Sequence, residues 1–119
     1  MARILIVEDD PDQLELRRLL LEKAGHEVWT ASNREQANQV FGEANVAVVI
    51  MDLRLPALKD GQALIHDLRD RSSAVRIFVE SGSAGDLSAL PEASMVDEIL
   101  NKPLSFPTLL KLISKAARQ

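Results

Sequence analysis

Acidic residues collect where apolar runs end. Val46-Ala-Val-Val-Ile-Met51 is followed by Asp52, and Arg3-Ile-Leu-Ile-Val7 is followed by Glu8, Asp9 and Asp10. Two later runs lead into Ser81 and Lys102. If these ends meet, the carboxylates repel one another by about 4 kcal/mol per pair at 4 Å and an effective dielectric near 20. Such a cluster requires a cation. Oxygen donors alone, few enough to leave room for water, suit Mg2+ better than Ca2+ and far better than zinc. Beside Mg2+ a carboxylate can attack phosphorus and become an aspartyl phosphate, because charge on the equatorial oxygens is neutralised. Lys102 can bring an ammonium to the same oxygens, and Ser81 a hydroxyl donor.

Each of these residues also has a plainer role. Asp52 alone suits a turn cap, and Ser81 before Gly82 suits an ordinary turn. Glu8 and Asp9 suit the N-terminus of a helix, where the dipole favours acids. Lys102 before Pro103 suits a strand end. Asp10 reads as a helix cap or a supporting acid, His26 and His66 as surface residues, and Trp29 as core or sheet edge. Whether the chain brings the run ends together separates the two sets of roles.

The elements that would do so can be read in order. Arg3 to Val7 is a short buried strand. Pro11 fits the first turn of a helix whose leucines, Leu14, Leu16, Leu19, Leu20 and Leu21, recur at helical spacing until Gly25. His26 to Ala31 reads as a second strand. A helix from Asn33 to about Glu43 follows, with Ser32 or Asn33 as cap and Ala37, Val40 and Phe41 as its apolar stripe. The run ending in Asp52 is β-branched and apolar throughout, the mark of a strand buried on both faces. Pro56 opens a loop to Gly61, a glycine that suggests positive φ, and Ala63, Leu64, Ile65 and Leu68 mark a third helix ending among Arg71, Ser72 and Ser73. Val75 to Val79 is a fourth strand. The helix from Asp86 to Leu90 is the weakest, cut by Pro91. Asp97 to Leu100 is a fifth strand, and Ser105 can cap a last helix carrying Leu109, Leu110, Leu112 and Ile113.

Strands alternating with helices predict an α/β fold with helices on both faces of a doubly wound parallel sheet. For five such units the expected topology is flavodoxin-like, strand order 2-1-3-4-5. That order sets strands one and three side by side, so Glu8 to Asp10 and Asp52 meet at the carboxyl edge. The 119 residues form one domain, 1–119, with no room for a second. A net charge of -4 argues against nucleic acid or an anionic membrane as a direct partner. The absence of cysteine excludes disulfides and thiolate metal sites. With no apolar leader and no run near the ~18 residues of a membrane span, a soluble, cytoplasmic protein is expected.

At this point the chain resembles, over nearly its whole length, the receiver domain of two-component response regulators. The motifs are Ile4-Leu-Ile-Val-Glu8-Asp9-Asp10, Met51-Asp52-Leu-Arg-Leu-Pro56, Ser81-Gly82 and Lys102-Pro103, in that order. The resemblance implies that Asp52 accepts a phosphoryl group from a histidine kinase or a histidine phosphotransfer protein. It implies that Glu8, Asp9, Asp52 and the Arg54 carbonyl hold Mg2+, that Ser81 binds and senses the phosphoryl group, and that Lys102 pairs with it. It further implies a signalling module whose only chemistry is its own phosphorylation and dephosphorylation, acting on a downstream effector.

Three departures stand out. Ile99 occupies the place where the family usually carries an aromatic ring that turns inward with the sensing hydroxyl. Gly61 lies five residues after Pro56, one more than usual, and Pro91 cuts the fourth helix. The alternative favoured by Ile99 is a receiver-like interaction domain independent of phosphorylation. A Mg2+-dependent phosphatase with an Asp nucleophile is a third option, disfavoured because Arg54 stands where that class places a second acid.

Overall fold

Alternation of side chains along a strand sends residues i and i+2 to the same sheet face, and here both faces are apolar. The structure, a computed structural model, describes residues 1–82, 87–102 and 105–117. Its elements are β1 (Arg3–Val7), α1 (Pro11–Lys23), β2 (Glu27–Ala31), α2 (Arg34–Glu43), β3 (Val48–Asp52), α3 (Leu58–Arg71) and β4 (Arg76–Ser81). A 3-10 helix (Pro91–Met95), β5 (Glu98–Asn101) and α4 (Phe106–Ala117) complete them. The strands pair in parallel in the order β2-β1-β3-β4-β5. This is the flavodoxin-like arrangement expected.

Leu5, Val7, Val49, Met51, Ile77 and Val79 build a core with Ala37 of α2 and Leu64, Ile65 and Leu68 of α3. Their strand neighbours Ile4, Ile6, Val48, Ile50, Phe78 and Leu100 build the opposite core with Leu21 of α1 and Leu109 and Ile113 of α4. β2 is one of the two edge strands, and Trp29 on it is half-buried, with the Arg3 guanidinium 4.9 Å over its ring.

Helix ends follow the expected chemistry. Asp10 caps α1 by accepting from the N–H groups of Asp12 and Gln13, and Pro11 takes the first helical position. Asn33 caps α2 through Gln36 N–H, and Ser105 Oγ accepts from Thr108 N–H at the start of α4. Gly25, at φ 95°, ends α1.

Four details differ from expectation. The leucines of α1 are too many for one stripe: Leu21 is buried, while Leu16 and Leu19 are half exposed on another side of the helix. α3 begins at Leu58, so Gly61 lies inside it without positive φ; a Cβ there would stand 1.7 Å from the Leu53 carbonyl oxygen. The glycine serves a close approach between helix and loop. β4 runs on to Ser81, two residues beyond Val79, and thereby takes in Glu80. Finally, of the expected fourth helix, residues 83–86 lie outside those described; Leu87 and Ser88 are helical, and Pro91 begins the 3-10 helix instead of kinking a longer one. Glu92 ties that turn to α3, accepting from Gln62 Nε2 at 2.9 Å and facing His66 Nε2 at 2.9 Å.

Candidate functional site

Register decides which strand ends share a face. Val7 pairs with Met51, so Glu8 follows beside Asp52, and Asp52 pairs with Glu80. By alternation, Glu8, Asp52 and Glu80 continue the Ile6, Ile50 and Phe78 rows toward α1 and α4. Three carboxylates thus stand in a row across β1, β3 and β4, at the carboxyl edge of the sheet where the strand order reverses.

Oxygens of Glu8, Asp9 and Asp52 lie within 4.8 Å of one another. Glu8 is 8% exposed, Asp52 half-buried and Asp9 exposed, so the cluster opens to solvent on one side. Asp10 is withdrawn from it by its capping role, but its own N–H donates to Glu8 Oε1 at 3.2 Å. Arg54 N–H donates to Asp52 Oδ1 at 3.2 Å. Lys102 Nζ stands 2.7 Å from Asp52 Oδ2 and 3.9 Å from Glu8 Oε2. Its backbone N–H donates to the Ser81 carbonyl at 2.9 Å, which fixes the lysine to the end of β4.

Electrostatics follow from this crowding. Burial pushes the Glu8 carboxyl up to about 7; the Asp52 charge adds to the rise, while the Asp10 N–H and Lys102 oppose it. Lys102 is held above its ordinary value. Burial works against its ammonium, but the Asp52 hydrogen bond and the charges of Asp52, Glu8 and Glu80 outweigh that. The oxygen-only donor set fits a hard divalent cation such as Mg2+, and among the described residues Glu8, Asp9 and Asp52 are the clustered side chains able to hold it.

The remaining expected residues occupy other positions. Ser81 is 3% exposed at the end of β4, one residue past Glu80 and therefore on the alternate side of the strand. Ile99 pairs with Val79 and packs on the core facing α2 and α3, away from the row of acids. His26 accepts from Ala2 N–H and His66 faces Glu92, neither of them at the site. Two residues escaped the sequence reading. Glu80 and Arg17 line the same cleft of about 640 Å3 as Glu8, Asp52, Lys102 and Phe106, and Arg17 grips both Glu80 oxygens. The available signal was a glutamate following Ile77-Phe-Val79, because a charge in a buried strand demands a partner.

The response regulator receiver domain family matches residues 4–114 of this chain. The chain is 31% identical to Protein PilH of Pseudomonas aeruginosa, covering 96% of each chain. It is 35% identical to the transcriptional regulatory protein AruR of the same species over 88% of this chain, spanning 45% of AruR's length. Among solved structures, the response regulator TrrA of Thermotoga maritima, crystallised in complex with Mg2+-BeF, superposes with a TM-score of 0.86. It is 29% identical and covers 98% of this chain and 99% of TrrA. TrrA has also been solved in complex with the histidine kinase ThkA, with a TM-score of 0.84 to this chain at 28% identity, covering 98% of each.

Proposed function

Because the chain belongs to the response regulator receiver domain family, we propose that it works as a phosphoacceptor switch in a two-component system. In this function Asp52 receives the phosphoryl group from a histidine kinase or a histidine phosphotransfer protein. The observation that carries the proposal is the meeting of Glu8, Asp9 and Asp52 within 4.8 Å, with Lys102 Nζ 2.7 Å from the Asp52 oxygen. Structures of TrrA with Mg2+-BeF and with ThkA support it by similarity.

The residues divide the work as follows. Asp52 Oδ attacks phosphorus, and the donor's nitrogen or oxygen leaves with the electron pair. Arg54 N–H donates to Oδ1 and Lys102 to Oδ2, so the carboxylate is oriented before the donor arrives. Glu8, Asp9, Asp52 and the Arg54 carbonyl would hold Mg2+, which when bound supplies positive charge to the phosphoryl oxygens. Lys102 can follow the transferred group, since its long stem carries a compact ammonium. Ser81, at the end of β4, supplies the hydroxyl that binds the phosphoryl group. The chain accepts and loses a phosphoryl group without turning over another substrate. Among the described residues no helix is long and apolar enough to cross a membrane.

Intact mass after incubation with acetyl phosphate and Mg2+ tests this. One phosphoryl adduct is expected, absent with chelator and absent in Asp52→Asn; an adduct that persists in Asp52→Asn rejects the assignment. A second reading, an interaction domain that works without phosphorylation, is favoured by Ile99. An isoleucine packed on the α2/α3 core offers no ring to swing with Ser81. A partner that binds Asp52→Asn and the phosphorylated protein equally would favour it.

A further inference from the structure

Glu80 is a buried charge that the phosphoryl transfer proposed above does not use. Its side chain is 4% exposed, less than the 13% of Asp52 beside it in register. Arg17, reaching from α1, occupies both of its oxygens, Nη1 on Oε1 and Nη2 on Oε2, the second at 2.9 Å. This two-pronged pairing is the geometry in which a guanidinium holds a carboxylate most firmly. A buried ion pair contributes little net stability compared with apolar residues of similar volume, so its effect on neighbouring charges matters more than its own strength.

Lys102 lines the same cleft as Glu80. Its ammonium is bonded to Asp52, lies 3.9 Å from Glu8, and feels the charge of Glu80. An ammonium is a mobile point charge with three donors, so competition among nearby carboxylates decides which it serves. An unpaired Glu80, the more deeply buried of the two strand-end rivals, would compete strongly, because charges interact more strongly away from water. Arg17 satisfies both of its oxygens and removes it from that competition.

We propose that Arg17 and Glu80 form a positioning pair that, by occupying the Glu80 carboxylate, keeps the Lys102 ammonium on the Asp52 oxygen. The proposal rests on the reading of Asp52 as phosphoacceptor. Arg17 touches neither the acceptor nor the phosphoryl group; it acts through Glu80 and Lys102. The rival explanation is that the pair merely fastens α1 to β4.

Rates of adduct formation with acetyl phosphate and Mg2+ separate the two. R17Q is expected to take up phosphate about tenfold more slowly, the size of one charge-assisted hydrogen bond partly lost. Adding E80Q removes the competing charge and restores most of the rate in R17Q/E80Q, and E80Q alone outpaces R17Q. A fastening role gives comparable losses in both single variants and no recovery in the double one. A double variant as slow as R17Q, or an R17Q as fast as wild type, overturns the proposal. The Lys102 ammonium resonance, assigned by its disappearance in K102R, provides a readout independent of phosphorylation. It should shift in R17Q and return in R17Q/E80Q, and an unmoved signal likewise overturns the proposal. Failure of wild type to take up phosphate would instead reject the phosphoacceptor function and leave the ammonium signal to decide the pair's role. Should R17Q not fold, R17K against R17K/E80Q makes the same comparison, since a lysine covers fewer carboxylate oxygens than the arginine fork; absence of recovery there overturns the proposal.

Discussion

Substituting Gly61 by alanine sets two effects of opposite sign against each other at one position. Gly61 lies in the first turns of α3, where alanine is favoured over glycine by about 1 kcal/mol. With no positive φ there, helix propensity alone predicts a more stable protein. The added methyl, however, would sit 1.7 Å from the Leu53 carbonyl oxygen and 2.6 Å from its carbon, where real contacts stay above 3.0 Å. Helix and loop must part by more than an ångström, and neither obstacle is a side chain that can rotate away. Overpacking of this kind costs about 1–3 kcal/mol, and a backbone obstacle belongs at the upper end or beyond. The net expectation is a loss of about 2 kcal/mol, or roughly 8 °C in melting temperature for a domain of this size. Leu53 follows Asp52 directly, so the displaced backbone should also weaken the Mg2+-induced rise in melting temperature. Thermal unfolding with and without Mg2+ measures both. Gly25→Ala provides the contrast, since there the cost is φ alone, about 1 kcal/mol, with nothing within 4 Å and no consequence for Mg2+. A Gly61→Ala protein as stable as wild type, or more so, refutes the close-approach reasoning.

Asp9→Asn should stabilise the metal-free protein by relieving repulsion among three clustered carboxylates, and should shrink the Mg2+-induced rise in melting temperature; thermal unfolding with and without chelator checks both signs. Because the Glu8 carboxyl is raised from 4.5 to about 7, the folded protein binds more protons than the unfolded chain between those values. Its metal-free stability should therefore fall as pH rises from about 4.5 to 7, and denaturant midpoints of Glu8→Gln should show a flatter decline. Since a metal must displace that proton, Mg2+ should stabilise more at pH 8 than at pH 6. Arg54, exposed two residues beyond the acceptor, has a stem and guanidinium able to shield or pair with a phosphoryl group. Arg54→Ala should lose phosphate faster than wild type in a decay measured by intact mass.

The layers and the acids were legible in local pattern. A β-branched apolar run as short as Val48 to Met51 reads as an interior strand, and helices alternating with such strands cover both faces, so the commonest order for five units already set β1 beside β3. Glu8, Asp9, Asp52 and Lys102 were legible because each stands at the end of such a run, and a strand end at the switch of strand order is fixed in space by the sheet. The tertiary structure decided what depends on distances between segments remote in sequence. Gly61 looked like a turn glycine until its approach to Leu53 was seen, because steric exclusion by a neighbouring backbone leaves no trace in local pattern. Glu80 and Arg17 are 63 positions apart, and only register on β4 and the facing of α1 pair them. The exposure of Leu16 and Leu19, against the burial of Leu21, was likewise set by which side of α1 the sheet had room to cover, a matter of packing that helical periodicity leaves open.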